Sequence, residues 1–126
     1  QVNSWNYDNE KGDTMSINQT VISGNLTRDP ELKQTKKGVD FLTFTIAFND
    51  QVRDGDGFKQ YPNFIDVTYY GASAKNIQPY LRKAQHVCVS GKLRYSEWEN
   101  PDGSKRNKIE LIASEIDFQG SAKVED

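Results

Sequence analysis

The chain has 126 residues, enough for one domain with its own core and too few for two ordinary ones. No run of 18 apolar residues is present to cross a bilayer and no signal-peptide pattern opens the chain. The single cysteine, Cys88, excludes an intrachain disulfide and fits a reducing compartment, so the expectation is a soluble cytoplasmic protein. The whole chain carries a net −2, with −2 in residues 1–15 and −1 in residues 121–126, so residues 16–120 carry +1. Charge alone therefore neither demands nor forbids a polyanionic partner.

Residues 1–15 are polar and without periodicity, and Met15-Ser16-Ile17-Asn18 reads as a natural start. The expectation is a polar leader over 1–15 ahead of one folded domain over 16–120. Thr20 to Leu26 is rich in β-formers and includes Gly24, and Asp29-Pro30 marks a bend or an edge. Lys36-Lys37-Gly38 is a turn. Val39 to Phe48 follows as a long strand that is apolar on both sides, with Leu42, Phe44, Ile46 and Phe48 on one and Val39, Phe41 and Ala47 on the other. A strand wet on one face alternates more cleanly, so one side is expected in a barrel core and the other against a ligand or a second subunit.

Asn49 to Lys59 is rich in Gly and Asp and is expected to be a loop; its Asp54-Gly55-Asp56-Gly57 lacks the twelfth-position acid of a calcium loop. Phe64 to Tyr70 is a third strand, with Ile65, Val67 and Tyr69 on one face and Phe64, Asp66, Thr68 and Tyr70 on the other. Ala72 to Lys83 is the one helical segment, and Pro79 limits the helix to about its first half. Val87 to Tyr95 is a fourth strand, Asn100-Pro101-Asp102-Gly103 a strong turn, and Lys108 to Phe118 a fifth strand.

Three strands, a helix and a closing hairpin are the order of an OB-fold. The expected class is thus all-β, a five-stranded Greek-key barrel with one short helix between the third and fourth strands. Gly24 and Gly91 fall inside strands, where a small barrel needs bulges and sharp bends. His86 and Cys88 share a strand face, but no second pair stands at zinc spacing and no third group orients a nucleophile. No catalytic residue, metal or cofactor is expected.

Five segments carry a more specific likeness. Val21-Ile22-Ser23-Gly24-Asn25-Leu26-Thr27-Arg28-Asp29-Pro30-Glu31-Leu32 resembles the opening strand of bacterial single-stranded-DNA-binding proteins. Phe44-Thr45-Ile46-Ala47 is similar to the end of their second strand, and Asp66-Val67-Thr68-Tyr69-Tyr70-Gly71 with Tyr80-Leu81-Arg82-Lys83 to their third strand and helix. Val89-Ser90-Gly91-Lys92-Leu93, and Trp98 followed by Asp102-Gly103, resemble the fourth strand and its hairpin. The resemblance covers residues 18 to 119.

It implies a non-enzymatic homotetramer that binds and protects single-stranded DNA, without reading sequence, in replication, recombination and repair. It also implies a Gly/Pro-rich linker with an acidic tip that recruits replication and repair proteins. Residues 121–126, ending in Val124-Glu125-Asp126, would be the start of such a tail. Stacking positions carried over from the family fall on Phe64, Tyr70 and Trp98, while a fourth, usually aromatic, holds Val52. Gln19, Asp66 and Glu97 stand where many members are basic.

Sequence-tolerant binding of a single strand needs π-faces for bases and cations along the phosphates. The cations expected to serve are Arg28, Lys33, Arg53, Lys59, Lys92, Arg94, Lys105 and Arg106, with Lys92 and Arg94 on one strand face leading toward Trp98. Two other readings stay open at this point: a protein-binding adaptor of the same fold, motivated by the missing basic residues, and an oligosaccharide-binding barrel.

Overall fold

A computed structural model describes residues 16–118; the expected leader over 1–15, the last two residues of the expected domain and the expected tail over 121–126 lie outside the described residues. Six strands form one sheet: β1 (Thr20–Leu26), β2 (Glu31–Gln34), β3 (Asp40–Asp54), β4 (Gly57–Tyr70), β5 (His86–Glu99) and β6 (Lys105–Phe118). Their order is β1-β5-β6-β4-β3-β2, and a further pairing of β1 with β3 closes the sheet on itself. The closed ring is thus the five-stranded barrel β1-β5-β6-β4-β3. Strand β2 runs along the same edge of β3 as β1 does, so the two act as one strand broken at Asp29-Pro30. Its four residues carry a single half-buried apolar side chain, Leu32, too little for a periodic mark in the sequence. Between β4 and β5 lie helix α1 (Ser73–Ile77) and a 3-10 turn over Gln78–Tyr80. Pro79 sits in the first turn of that 3-10 segment, where its missing N–H costs nothing, and the α-helix has already ended.

The barrel is filled by the alternate residues that face inward. Leu26, Leu42, Phe44, Ile46, Val67, Val87, Val89, Leu111 and Ala113 are buried, with Ala74 and Leu81 plugging the end beside the helix. Closure demands close backbone approach at Gly24, where a Cβ would stand 2.5 Å from the Ala47 carbonyl oxygen. On the far side, β5 and β6 slip register between Ser90 and Gly91, leaving Ser114 as the extra residue of a bulge. The bulge lets Ile116 and Phe118 face the core on one side of it and Leu111 and Ala113 on the other.

The stretch expected to be a loop, 49–59, is instead the outer half of a β-ribbon. Strands β3 and β4 stay paired from Asn49↔Pro62 out to Asp54↔Gly57, turning at Gly55 with φ 64°. A two-residue hairpin turn requires that sign at its first position, and glycine adopts it freely. The β5–β6 hairpin likewise extends past the barrel, to Glu99↔Lys105. Its turn is fixed by Ser104, whose amide and hydroxyl both donate to Asp102 Oδ1 at 2.9 and 2.7 Å. Those two bonds hold the Asp102 carboxyl below its ordinary range, the hydroxyl contributing more.

Among the described residues one acid, Glu110, is buried outside the core. Thr68 donates through Oγ1 to Glu110 Oε1 at 2.7 Å, and Lys108 Nζ lies 3.8 Å from the same oxygen. Replacing Thr68 by Val removes the nearer donor and leaves a carboxylate oxygen short of partners. The expected loss is about 1–3 kcal/mol in urea unfolding at constant m-value, with Thr68→Ser close to wild type.

Candidate nucleic-acid interface

Four strands lie abreast, β3-β4-β6-β5, and pairing fixes which side chains share their outer face. Tyr69, Val67 and Ile65 pair with Leu42, Phe44 and Ile46 and point into the barrel. Phe64, Asp66, Thr68 and Tyr70 therefore point out, together with Ala47, Thr45, Thr43 and Phe41 across from them. The rows continue onto β6 and β5: Asp66 pairs with Glu110 and Glu110 with Arg94, while Thr68 pairs with Ile112 and Ile112 with Lys92. Side-chain contacts agree, since the Arg94 guanidinium lies 5.8 Å from the Tyr70 ring centroid and Tyr70 packs on Phe41 at 5.4 Å.

All three expected stacking residues stand on this face with their rings accessible. Phe64 is 65% exposed, Trp98 46% and Tyr70 40%. Trp98 pairs with Arg106, which lies beside it on the ribbon. Of the expected cations, Lys92, Arg94, Arg106 and Arg53 join this face by alternation, and Lys33 reaches it from β2, opposite Phe41. Lys59 and Lys105 do not: they pair with Val52 and Glu99, one residue out of phase, and face the other side of their ribbons. Arg28 lies in the bend after β1, where it and Lys33 both pair with Glu31 Oε1, at 3.4 and 3.6 Å. These are exposed ion pairs, so they weaken rather than cancel either charge.

Val52 also belongs to the opposite side of its ribbon, so it is no gap in the aromatic row. The row is extended by Phe58, which the sequence reading passed over. Phe58, Phe64 and Tyr70 follow one another at six-residue steps on one face of β4, roughly 20 Å each at strand rise. Phe58 is 64% exposed, and the Arg53 guanidinium lies 5.8 Å from its ring centroid, a cation–π pair at the ribbon's tip. Its signal in the sequence was an aromatic in phase with Phe64 within a polar stretch.

The reverse side of the β5–β6 ribbon is different. Leu93, Tyr95 and Ile109 are exposed there. The Tyr95 hydroxyl donates to Glu97 Oε2 at 2.7 Å; that bond, then desolvation and the carboxylate's charge, hold the phenol above its ordinary range. His86 and Cys88 lie on the outer side of β5 near its start, and His86 Nδ1 is 2.7 Å from Asn25 Oδ1.

A face of spaced, accessible rings bordered by guanidinium and ammonium groups can stack bases while holding phosphates. Comparison with known proteins agrees with that chemistry. The family model described as "Single-strand binding protein family" matches residues 17–119. A single-stranded DNA-binding protein of Treponema pallidum is 38% identical over 105 residues, 83% of this chain and 59% of that protein. One from Borreliella burgdorferi is 36% identical over 106 residues, 83% of this chain and 71% of that protein. The chain thus spans little more than half the length of the first of these relatives. Among solved structures, a Plasmodium falciparum SSB in complex with ssDNA has the same fold, with a TM-score of 0.77 at 23% identity over 86% of this chain and 99% of that one. The chain belongs to the single-strand binding protein family.

Proposed function

We propose that this chain binds single-stranded DNA with little regard for sequence and protects it, without catalysing a reaction. The observation that carries the reading is the shared outer face of Phe58, Phe64, Tyr70 and Trp98, edged by Lys33, Arg53, Lys92, Arg94 and Arg106. Each stacked base is worth about 1–3 kcal/mol, so a few rings supply most of the affinity and the cations set its salt dependence. Family membership supports the wider reading: a homotetramer acting in replication, recombination and repair, in the cytoplasm, with partner proteins engaged through a C-terminal tail. The exposed Val21 on the outer side of β1 supports contact with further subunits.

The test is a titration with oligo(dT) in a Trp5→Phe background, which leaves Trp98 as the reporter of the two tryptophans. Trp98 emission is expected to be quenched. With these five cations engaged, log Kd is expected to climb with log salt at a slope of about 3.5. Unchanged emission together with no mobility shift at low salt would overturn the proposal.

A further inference from the structure

One side chain on the stacking face has the wrong charge for a phosphate. Asp66 points outward between Phe64 and Tyr70, two and four residues away, or roughly 7 and 13 Å along β4. It is exposed, and its polar partner among the described residues is Thr45, whose Oγ1 donates to Asp66 Oδ1 at 2.8 Å. No Lys or Arg nitrogen among the described residues lies within 4.0 Å of that carboxylate. Its neighbour across the sheet is another acid, Glu110, already held by Thr68 and Lys108; the first cation in the row, Arg94, is one strand further on.

A strand crossing this face therefore meets repulsion at Asp66 and attraction at Lys33, Lys92 and Arg94. Its phosphates are steered to the cations, and what comes to Asp66 is the edge of a base stacked on a neighbouring ring. A carboxylate only accepts hydrogen bonds, and the Thr45 bond fixes this one while leaving Oδ2 free. The bases differ sharply in what they offer it. Guanine presents N1–H and the 2-amino group side by side, two parallel donors that fit a carboxylate. Cytosine and adenine each offer one amino group. Thymine offers a single N3–H between two carbonyl oxygens that repel the anion.

Resting on the single-strand reading above, we propose that Asp66 is a specificity-determining residue. It gives this face a preference for bases carrying amino donors, guanine foremost, and against thymine.

The experiment compares two oligonucleotides of equal length, alternating d(GT) and alternating d(IT), where inosine lacks only guanine's 2-amino group. Oligo(dT) serves as the reference, and the protein is the full chain and its Asp66→Asn variant. Wild type is expected to bind d(GT) roughly fivefold more tightly than d(IT), the lower end of what one base contact supplies. Asp66→Asn is expected to bind the two equally and to gain affinity for oligo(dT). Equal binding of d(GT) and d(IT) by wild type overturns the inference while leaving single-strand binding intact. So does discrimination that persists in Asp66→Asn. Failure to bind any of the three strands at low salt removes the single-strand reading and the inference with it.

Discussion

Truncating Phe64 and Tyr70 together to alanine is expected to weaken oligo(dT) binding at least about 30-fold, which is two stacked bases at the low end of about 1 kcal/mol each. The two rings contribute little to the fold. Phe64 is 65% exposed and Tyr70 40%, and neither belongs to the buried set that fills the barrel. Tyr70 does touch two neighbours, Phe41 at 5.4 Å and the Arg94 guanidinium at 5.8 Å. Its loss also frees Arg94 to reach phosphate, so the single Tyr70→Ala variant should lose less affinity than Phe64→Ala. Binding isotherms for both single variants and the double variant, with urea midpoints alongside, separate the effects. Midpoints near wild type with the affinity loss described would place these rings in recognition. A loss of affinity matched by a loss of stability would assign them to packing instead.

The barrel was legible where burial leaves a mark. Leu42, Phe44 and Ile46 alternate in β3, and Val87 and Val89 in β5, because a strand facing a core on one side must put an apolar side chain at every second residue. The ribbons were not legible for the same reason. Residues 49–62 leave the barrel with both faces wet, so they are held by ladder hydrogen bonds and cross-strand pairs rather than by burial, and 49–59 of them read as a loop. The candidate site shared that fate. Phe64 and Tyr70 could be placed because their strand was recognised; Phe58 on the ribbon was missed. Lys59 and Lys105 were grouped with Arg53 and Arg106 because alternation sorts a ribbon's faces only once the pairing is known. Asp66 could be noted as an oddity in sequence, but that no Lys or Arg among the described residues pairs with it is a fact of three dimensions.

Replacing Gly91 by alanine is expected to cost about 3 kcal/mol or more, a large share of the roughly 5–15 kcal/mol that holds a domain folded. A Cβ built on Gly91 stands 2.1 Å from the Ile112 carbonyl oxygen and 2.9 Å from Ala113 Cα. Both are backbone atoms of the paired strand, so no rotamer change relieves the contact and β5 and β6 must separate at the bulge. Gly57 is the matched control. A Cβ there meets nothing within 4 Å, so Gly57→Ala should change stability by no more than about 0.5 kcal/mol. Urea midpoints of the two variants check this, and a Gly91→Ala midpoint as close to wild type as that of Gly57→Ala would refute it. The consequence reaches the binding face. The bulge at Ser114 lets β6 bury Ile116 on one side and Leu111 on the other while Lys92 and Arg94 keep facing out. A slip of one residue would turn every side chain beyond it to the opposite face. Gly91→Ala protein that remains folded by relaxing this pairing should therefore lose oligo(dT) affinity as well, since Arg94 and Trp98 lie on the strand whose aim the bulge sets.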